Sequence, residues 1–376
     1  MELKMKISKL IVSAMLLLGH GAMAANSAMN SDNDADISVN VQQHLVQLAH
    51  PTDGIGARFA GSEEENKAAL YITSQFAQYG YKASLQGFTV TKGDTSFSSQ
   101  NVIVDSNPSL KKTLIVGAHF DSVDDGSGSM GAIDNASSIA VMLEVARLAK
   151  QQSGQSFNIR FIAFGAEENG LHGSRHYVEQ LLQSEQATQV VGMINLDTIA
   201  GGDISYVHSA HSTPYKCSKT LGQQYSKQTY MRDALLMASQ AQLKDNAYQI
   251  HKGYPNNPKG EAGGWSDHKV FACAGIAIAF IESTNYHLNG KQGNDGYSQT
   301  INDAFWDCFD KTKLSACDRQ KERKWGEIWH TKYDDIDTLQ QIFPERVNTM
   351  MVQHVLVLSH FLSEAEHYLA QVTITE

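Results

Sequence analysis

Three short apolar segments, TLIVGAHF (113–120), FNIRFIAFGA (157–166) and VVGMINLD (190–197), alternate with two stretches of helical spacing, SSIAVMLEVARLAK (137–150) and GSRHYVEQLLQ (173–183). Short, nearly continuous apolar runs read as buried strands, and the amphipathic stretches between them read as crossover helices. Strand, helix, strand, helix, strand implies an α/β protein with a parallel sheet and right-handed crossovers. The same constraint places the ionisable residues. His119 ends the first strand, Glu167 and Glu168 the second and Asp197 the third, while Asp134 and Asn135 open the first helix. All fall at the carboxyl ends of parallel strands, where open α/β sheets put their ligand crevice.

Taken singly, each acid has a plain structural explanation as a helix cap or a solvated loop residue. Together, three strand ends delivering acids to one crevice demand something more. Buried carboxylates repel one another and are costly to desolvate unless a cation sits among them. A metal ion is the economical answer.

The motifs GAHFDS, AIDNASSIAVMLEVAR, AFGAEENGLHGSRHY, INLDTIAGG, GWSDHKVF and WHTKYDDID, in this order over about residues 40 to 370, resemble the co-catalytic zinc aminopeptidases related to glutaminyl cyclases. RFAGSEEENKAALYI resembles that family's substrate-proximal N-terminal segment. The resemblance implies a three-layer α/β/α fold with a mixed, mostly parallel central sheet, of the zinc-exopeptidase (phosphorylase/hydrolase-like) kind. It implies two Zn²⁺ ions per chain, His119 and Asp197 holding one, Glu168 and His330 the other, and Asp134 bridging both. Imidazole and carboxylate suit zinc, and a bridging carboxylate suits a pair of ions. By the same resemblance Glu167 is the general base, Asp121 orients the His119 ring, and the Asp134–Asn135 peptide is cis. Residues 266–268 (SDH) border the site, with no catalytic role that can be derived for them. The segments ISYVHS and AGIAIAFIESTNYHLNGKQGNDGYSQ are similar to an exported member that removes an N-terminal Arg, which implies Arg or Lys as the residue released.

Oxyanion stabilisation usually needs a donor besides the metal. Some relatives place a Tyr just before the last His ligand; here that position is Trp329, leaving Tyr286 and Tyr333 as candidates. For the substrate's free amino group the candidates are Asp197, Glu167 and the loop acids around Glu261. His354 and His360 lie in the apolar spacing of a terminal helix and read as structural, and His172, Arg175 and His176 as packing or capping residues of the second crossover helix.

The amino terminus, MELKMKISKLIVSAMLLLGHGAMAAN, has lysines before a short apolar run and then Ala22-Met23-Ala24, the pattern of a secretory signal cut after Ala24. The run is too short to span a bilayer, which takes about 20 residues. Residues 1–24 are thus expected to be a leader, 25–38 a flexible segment and 39–376 a single catalytic domain. The chain has 30 basic and 40 acidic residues, and loss of Glu2 and three lysines with the leader leaves a net charge of −12. That balance argues against nucleic acid or an anionic membrane surface as partner. A peptide or protein N-terminus is the expected substrate, the protein a monomer without membrane anchor, periplasmic or secreted. Four cysteines in an exported chain favour disulfides. The short loop CFDKTKLSAC makes Cys308 with Cys317 the preferred local pair, leaving Cys217 with Cys273; a cysteine zinc site is disfavoured because no CxxC occurs. The rival functions are a glutaminyl-peptide cyclotransferase with a single zinc, and a silent binding protein of the same fold. A serine hydrolase is disfavoured by the absence of GxSxG.

Overall fold

The computed structural model describes residues 34–222 and 224–373. The leader expected at 1–24 lies outside them. Residues 34–49 form helix α1, so the segment expected to be flexible through residue 38 is ordered from residue 34, where Ile37 and Val41 are sealed in the core.

An eight-stranded sheet runs in the order β1-β2-β4-β3-β5-β8-β6-β7. Its strands are β1 (Ser84–Lys92), β2 (Thr95–Asp105), β3 (Thr113–His119), β4 (Asn158–Phe164), β5 (Val190–Leu196), β6 (Ile204–Ala210), β7 (Glu261–Ala262) and β8 (Ile278–Thr284). The central strands β4, β3, β5 and β8 are mutually parallel, whereas the β1–β2 hairpin, the β2–β4 pair and the β6–β8 pair are antiparallel. The sheet is mixed and mostly parallel, and helices cover both faces. Strand alternation decides which core each residue enters: Leu114, Val116 and Ala118 join one cluster, while Ile115 joins the other with Ile162, Met193 and Ile278. At about 1.5–3 kcal/mol for each fully buried side chain, these runs favour the sheet strongly.

One face is covered by α1, α2 (Glu63–Gln78), α3 (Ser137–Gln151), α5 (Tyr230–Leu243), and the terminal helices α8 (Arg346–Ser363) and α9 (Ala365–Thr373). The other is covered by α4 (His172–Leu182) and α6 (His268–Cys273). The remaining helix, α7 (Ile336–Ile342), follows the Trp329–His330 loop and precedes α8. Helix α3 is buried on nearly every side because α8 packs over it, which explains its unbroken run of apolar residues. Helix α2 begins at Ser62, whose hydroxyl accepts from the Glu65 N–H, and three acids in its first turn suit the helix dipole. Gly117, in mid-strand, is required by packing, since a Cβ there would lie 2.5 Å from the Phe164 ring.

Both expected disulfides are present, Cys308–Cys317 and Cys217–Cys273. The second ties the loop after β6 to the end of α6. Among the described residues no helix is long and apolar enough to cross a membrane.

Three buried histidines have pKa values held well below the ordinary 6.5. Burial takes His268 to about 3 and His354 to about 4, and burial with the nearby Arg147 takes His44 to about 4. His354 sits between the Tyr248 hydroxyl (2.7 Å) and the Ile199 carbonyl (2.7 Å), which fixes it as a core residue. Below pH 6.5 the unfolded chain takes up these protons while the folded chain resists until about pH 4. Their stabilisation is therefore complete above pH 6.5 and is lost as pH falls to about 4, at up to about 1.4 kcal/mol per pH unit for each group. Urea unfolding of wild type and His354→Gln across pH 7 to 4 is expected to give a shallower loss of stability for the variant; parallel curves would contradict this.

Candidate metal centre

His119, Asp134, Glu167, Glu168, Asp197 and His330 all line one cleft at the carboxyl ends of β3, β4 and β5. His119 is the last residue of β3, Glu167 and Glu168 lie in the turn after β4, and Asp197 follows β5 directly. Asp134 occupies the turn into α3, and its peptide bond to Asn135 is cis. His330, distant in sequence and carrying no periodic signal, is delivered by the loop that leads into α7.

Asp134 is the geometric centre. One carboxylate oxygen lies 3.2 Å from His119 Nε2 and the other 3.3 Å from His330 Nε2. His119 Nε2 is also 3.4 Å from Asp197, and His330 Nε2 is 3.0 Å from Glu168. Two imidazole–carboxylate groups thus meet at one carboxylate, and Glu167 also lies with His119 and Asp197. The backbone around them is held in the sparsely populated left-handed region at non-glycine positions: Ala166 (φ 53°) before Glu167, Thr198 (φ 49°) after Asp197, and His330 itself (φ 53°). Such conformations persist where surrounding structure over-determines them, which is common at functional sites.

Electrostatics identify what the cluster accommodates. Burial, and then Asp134, raises the Glu168 carboxyl to about 7 against the pull of His330. Burial pushes Glu167 well above the usual carboxylate range; His119 opposes this, and Asp267, Glu168 and Asp197 add to it. Burial likewise raises Asp197, against His119. Burial would lower both imidazoles, yet the carboxylates raise His119 far above 6.5 and take His330 to about 11. Burial opposes ionisation of Asp134 too, but its two imidazole neighbours hold its pKa low. A cluster in which both histidines must carry protons to offset the acids is one that divalent cations would satisfy. The donors, two imidazoles and three carboxylates, suit zinc.

Asp121 lies against the His119 ring and also braces the next turn. Its carboxylate is 3.6 Å from His119 Nδ1, and the ring's nearer acceptor is the Asp121 backbone carbonyl at 3.2 Å. The carboxylate also accepts the Glu167 N–H (3.0 Å) and the Glu168 N–H (3.1 Å), bracing the turn that carries both acids.

Sequence reading missed several members. Arg58, fully buried, donates to the carbonyls of Phe120 (2.6 Å), Met130 (2.9 Å) and Gly131 (2.7 Å), tying together the loops that follow His119 and precede Asp134. Burial lowers its pKa to about 10, against the pull of Asp334 and other acids. Asp334 accepts the Ile133 N–H (2.6 Å) and the Ser129 hydroxyl (3.0 Å), joining the His330 segment to the Asp134 turn. Both residues lie inside quoted motifs, RFAG and YDDID, but nothing in their spacing distinguishes an anchor from a solvated charge. The cleft is also walled by Phe280, Glu282, Asp295, Tyr297 and Gln299, all inside the 274–299 segment singled out above, and by Trp329 of WHTKYDDID, but nothing in their spacing marked them as cleft residues.

The oxyanion candidates do not reach the cleft. The Tyr286 hydroxyl donates to Glu282 (2.8 Å), and Tyr333 packs edge-on against Phe305. The phenol that lines the cleft is Tyr297, packed 5.2 Å from the Trp329 ring. Glu261 is likewise elsewhere, accepting the Ser212 N–H. In the 266–268 segment, the Ser266 hydroxyl accepts from Asn195, His268 stacks on Phe280, and Asp267 is fully buried with its carboxyl raised by burial to about 7.

Residues 101–355 match the sequence family described as peptidase family M28. The chain belongs to peptidase family M28. Among curated relatives it is similar to the alkaline phosphatase isozyme conversion protein of Escherichia coli, 29% identical over 68% of this chain and 74% of that one. It is also similar to leupeptin-inactivating enzyme 1 of Streptomyces exfoliatus, 30% identical over 79% of this chain and 60% of that one. Among solved structures, the zinc aminopeptidase BSAP of Bacillus subtilis superposes with a TM-score of 0.58 at 19% identity, covering 86% of this chain and 93% of that one. The glutaminyl cyclase of Porphyromonas gingivalis does so at 0.59 and 16% identity, covering 88% and 98%. The α/β/α fold of these proteins is the fold of this peptidase.

If the Asp121 carboxylate braces the Glu167–Glu168 turn, Asp121→Ala leaves two N–H groups without an acceptor in the cleft wall, at about 1–3 kcal/mol each. Urea unfolding of chelated protein is expected to show a loss of about 3 kcal/mol, whereas a carboxylate serving His119 alone would leave stability nearly unchanged.

Proposed function

We propose that the protein is a metallo-aminopeptidase that hydrolyses the N-terminal residue of peptides or proteins, with a preference for Arg or Lys. His119, Asp134 and Asp197 would hold one Zn²⁺, and Asp134, Glu168 and His330 a second. The observation that carries this reading is the Asp134 carboxylate, with one oxygen facing each histidine at 3.2 and 3.3 Å. Bound zinc would supply a Lewis acid for the scissile carbonyl and would lower the pKa of water towards roughly 7.

The chain's own residues supply positioning and proton transfer. Glu167 lines the cleft without a place in either donor set of the proposal, so it is free to take a proton at its carboxylate and pass it to the leaving amine. Asp121 is a positioning residue, acting through the backbone of Glu167 and Glu168. Asp197 remains a candidate for the substrate's ammonium group, and Tyr297 replaces Tyr286 and Tyr333 as the phenol able to face the reacting carbonyl.

Export to an oxidising compartment is supported by the pairing of all four cysteines and by the similarity to the isozyme conversion protein. Glutaminyl cyclase is the second reading, favoured by a solved structure of nearly equal likeness.

Metal content per chain, measured with amine release from Arg, Lys, Leu and Gln substrates, tests the assignment. Two zinc ions and chelator-sensitive release are expected. One zinc with cyclisation of N-terminal Gln would overturn it in favour of the cyclase. Glu167→Gln is expected to lower kcat by about 10²–10⁴-fold while keeping both ions. A variant that loses metal in proportion to activity would place Glu167 among the ligands instead.

A further inference from the structure

The cleft extends past the donor sets onto β8, where strand alternation brings Phe280, Glu282 and Thr284 to its wall. β5 and β8 pair in parallel with Leu196 opposite Ile281, so the next pair along is Asp197 beside Glu282, one strand spacing or about 4.8 Å apart at the backbone. Glu282 is thus the first acid beyond the donor sets. It is nine-tenths buried. Its Oε1 accepts the Tyr286 hydroxyl at 2.8 Å and lies 2.9 Å from His208 Nε2, contacts that hold the carboxylate by one oxygen. Asp295, which lines the same cleft, spends Oδ1 on the Tyr297 N–H, and its buried Oδ2 has no partner among the described residues. Among the described residues no lysine or arginine lines the cleft, and the rings of Phe280, Tyr297 and Trp329 line it together with the two acids.

A rigid carboxylate and aromatic faces in one cleft wall, with no lysine or arginine of the described residues to occupy it, are chemistry that recognises a guanidinium. We infer that Glu282 is the specificity-determining residue of this cleft, pairing with the guanidinium of an N-terminal arginine while Asp295 and the aromatic walls flank it. The inference rests on the aminopeptidase reading for its substrate and adds the group that selects it. A planar, delocalised cation suits stacking walls better than a compact ammonium, so Arg is favoured over Lys.

The test uses the metal-loaded full protein with Arg, citrulline and Leu as 4-nitroanilides, citrulline being the neutral isostere of Arg. Free arginine and free citrulline serve as ligands that cannot be hydrolysed, their binding measured by calorimetry. Wild type is expected to favour Arg over citrulline by about 10²-fold in kcat/KM, equivalent to about 2.7 kcal/mol. In Glu282→Gln that ratio falls to within a few-fold of one, while Asp295→Asn lowers it by less, about 3- to 10-fold. A wild-type ratio near one would overturn the inference without any variant. So would an equal loss on Arg and citrulline in Glu282→Gln, which marks a structural role. No hydrolysis of any substrate would overturn the aminopeptidase reading instead. The two free amino acids would still decide the pocket: arginine binding that exceeds citrulline binding only while Glu282 is present supports it, and equal binding overturns it.

Discussion

The Asp134 carboxylate, held between His119 and His330, is the contact on which the rest of the site depends. It joins a strand end, a helix start and a loop that enters from the far end of the chain, and it is buried among other acids that cannot be accommodated unless cations are close. The turn that presents it has no freedom to relax. Arg58 pins the carbonyls before it, and Asp334 takes the Ile133 N–H immediately ahead of it. The charges behind the site therefore hold backbone in place, and those in front of it are left for ligands.

A parallel sheet makes such crowding possible. Neighbouring strands end at the same level, so His119, the Glu167–Glu168 turn, Asp197 and Glu282 stand side by side with little chain between strand end and functional side chain. Rigidity is inherited from the core, because His119 and Glu282 lie within buried strands, Asp197 is one position past such a strand, and Glu167 and Glu168 are three and four positions past another. The bracing of the Glu167–Glu168 turn by Asp121 is a local version of the same economy: one carboxylate fixes two neighbours by their N–H groups and leaves both side chains free.

The cleft divides by chemistry. At its inner end, imidazoles and carboxylates face one another at distances that suit shared cations. Towards β8 and the 295–299 loop, carboxylates alternate with aromatic rings, and no histidine of the donor sets intervenes. Strand order places the two parts together, since β8 lies next to β5 although more than 80 residues separate them in the chain. An imidazole–carboxylate cluster and an acid–aromatic wall thus arise from adjacent strands of one sheet.

The sequence by itself determined the strands and helices from Thr113 to Leu196, because apolar period and run length are local properties. It also placed His119, Asp134, Glu167, Glu168 and Asp197 at strand ends, because order along the chain implies position in a parallel sheet. His330 came from motif resemblance and the disulfide pairing from the shortness of one loop. Only the tertiary structure decided that the Asp121 carboxylate also takes the Glu167 and Glu168 N–H groups, and what Arg58 and Asp334 do, whose partners lie far away in sequence. It also moved the acids and phenol of the cleft from Glu261, Tyr286 and Tyr333 to Glu282, Asp295 and Tyr297. Those assignments depend on which strands become neighbours and which side chains share a cavity, and neither is written in the spacing of residues along the chain.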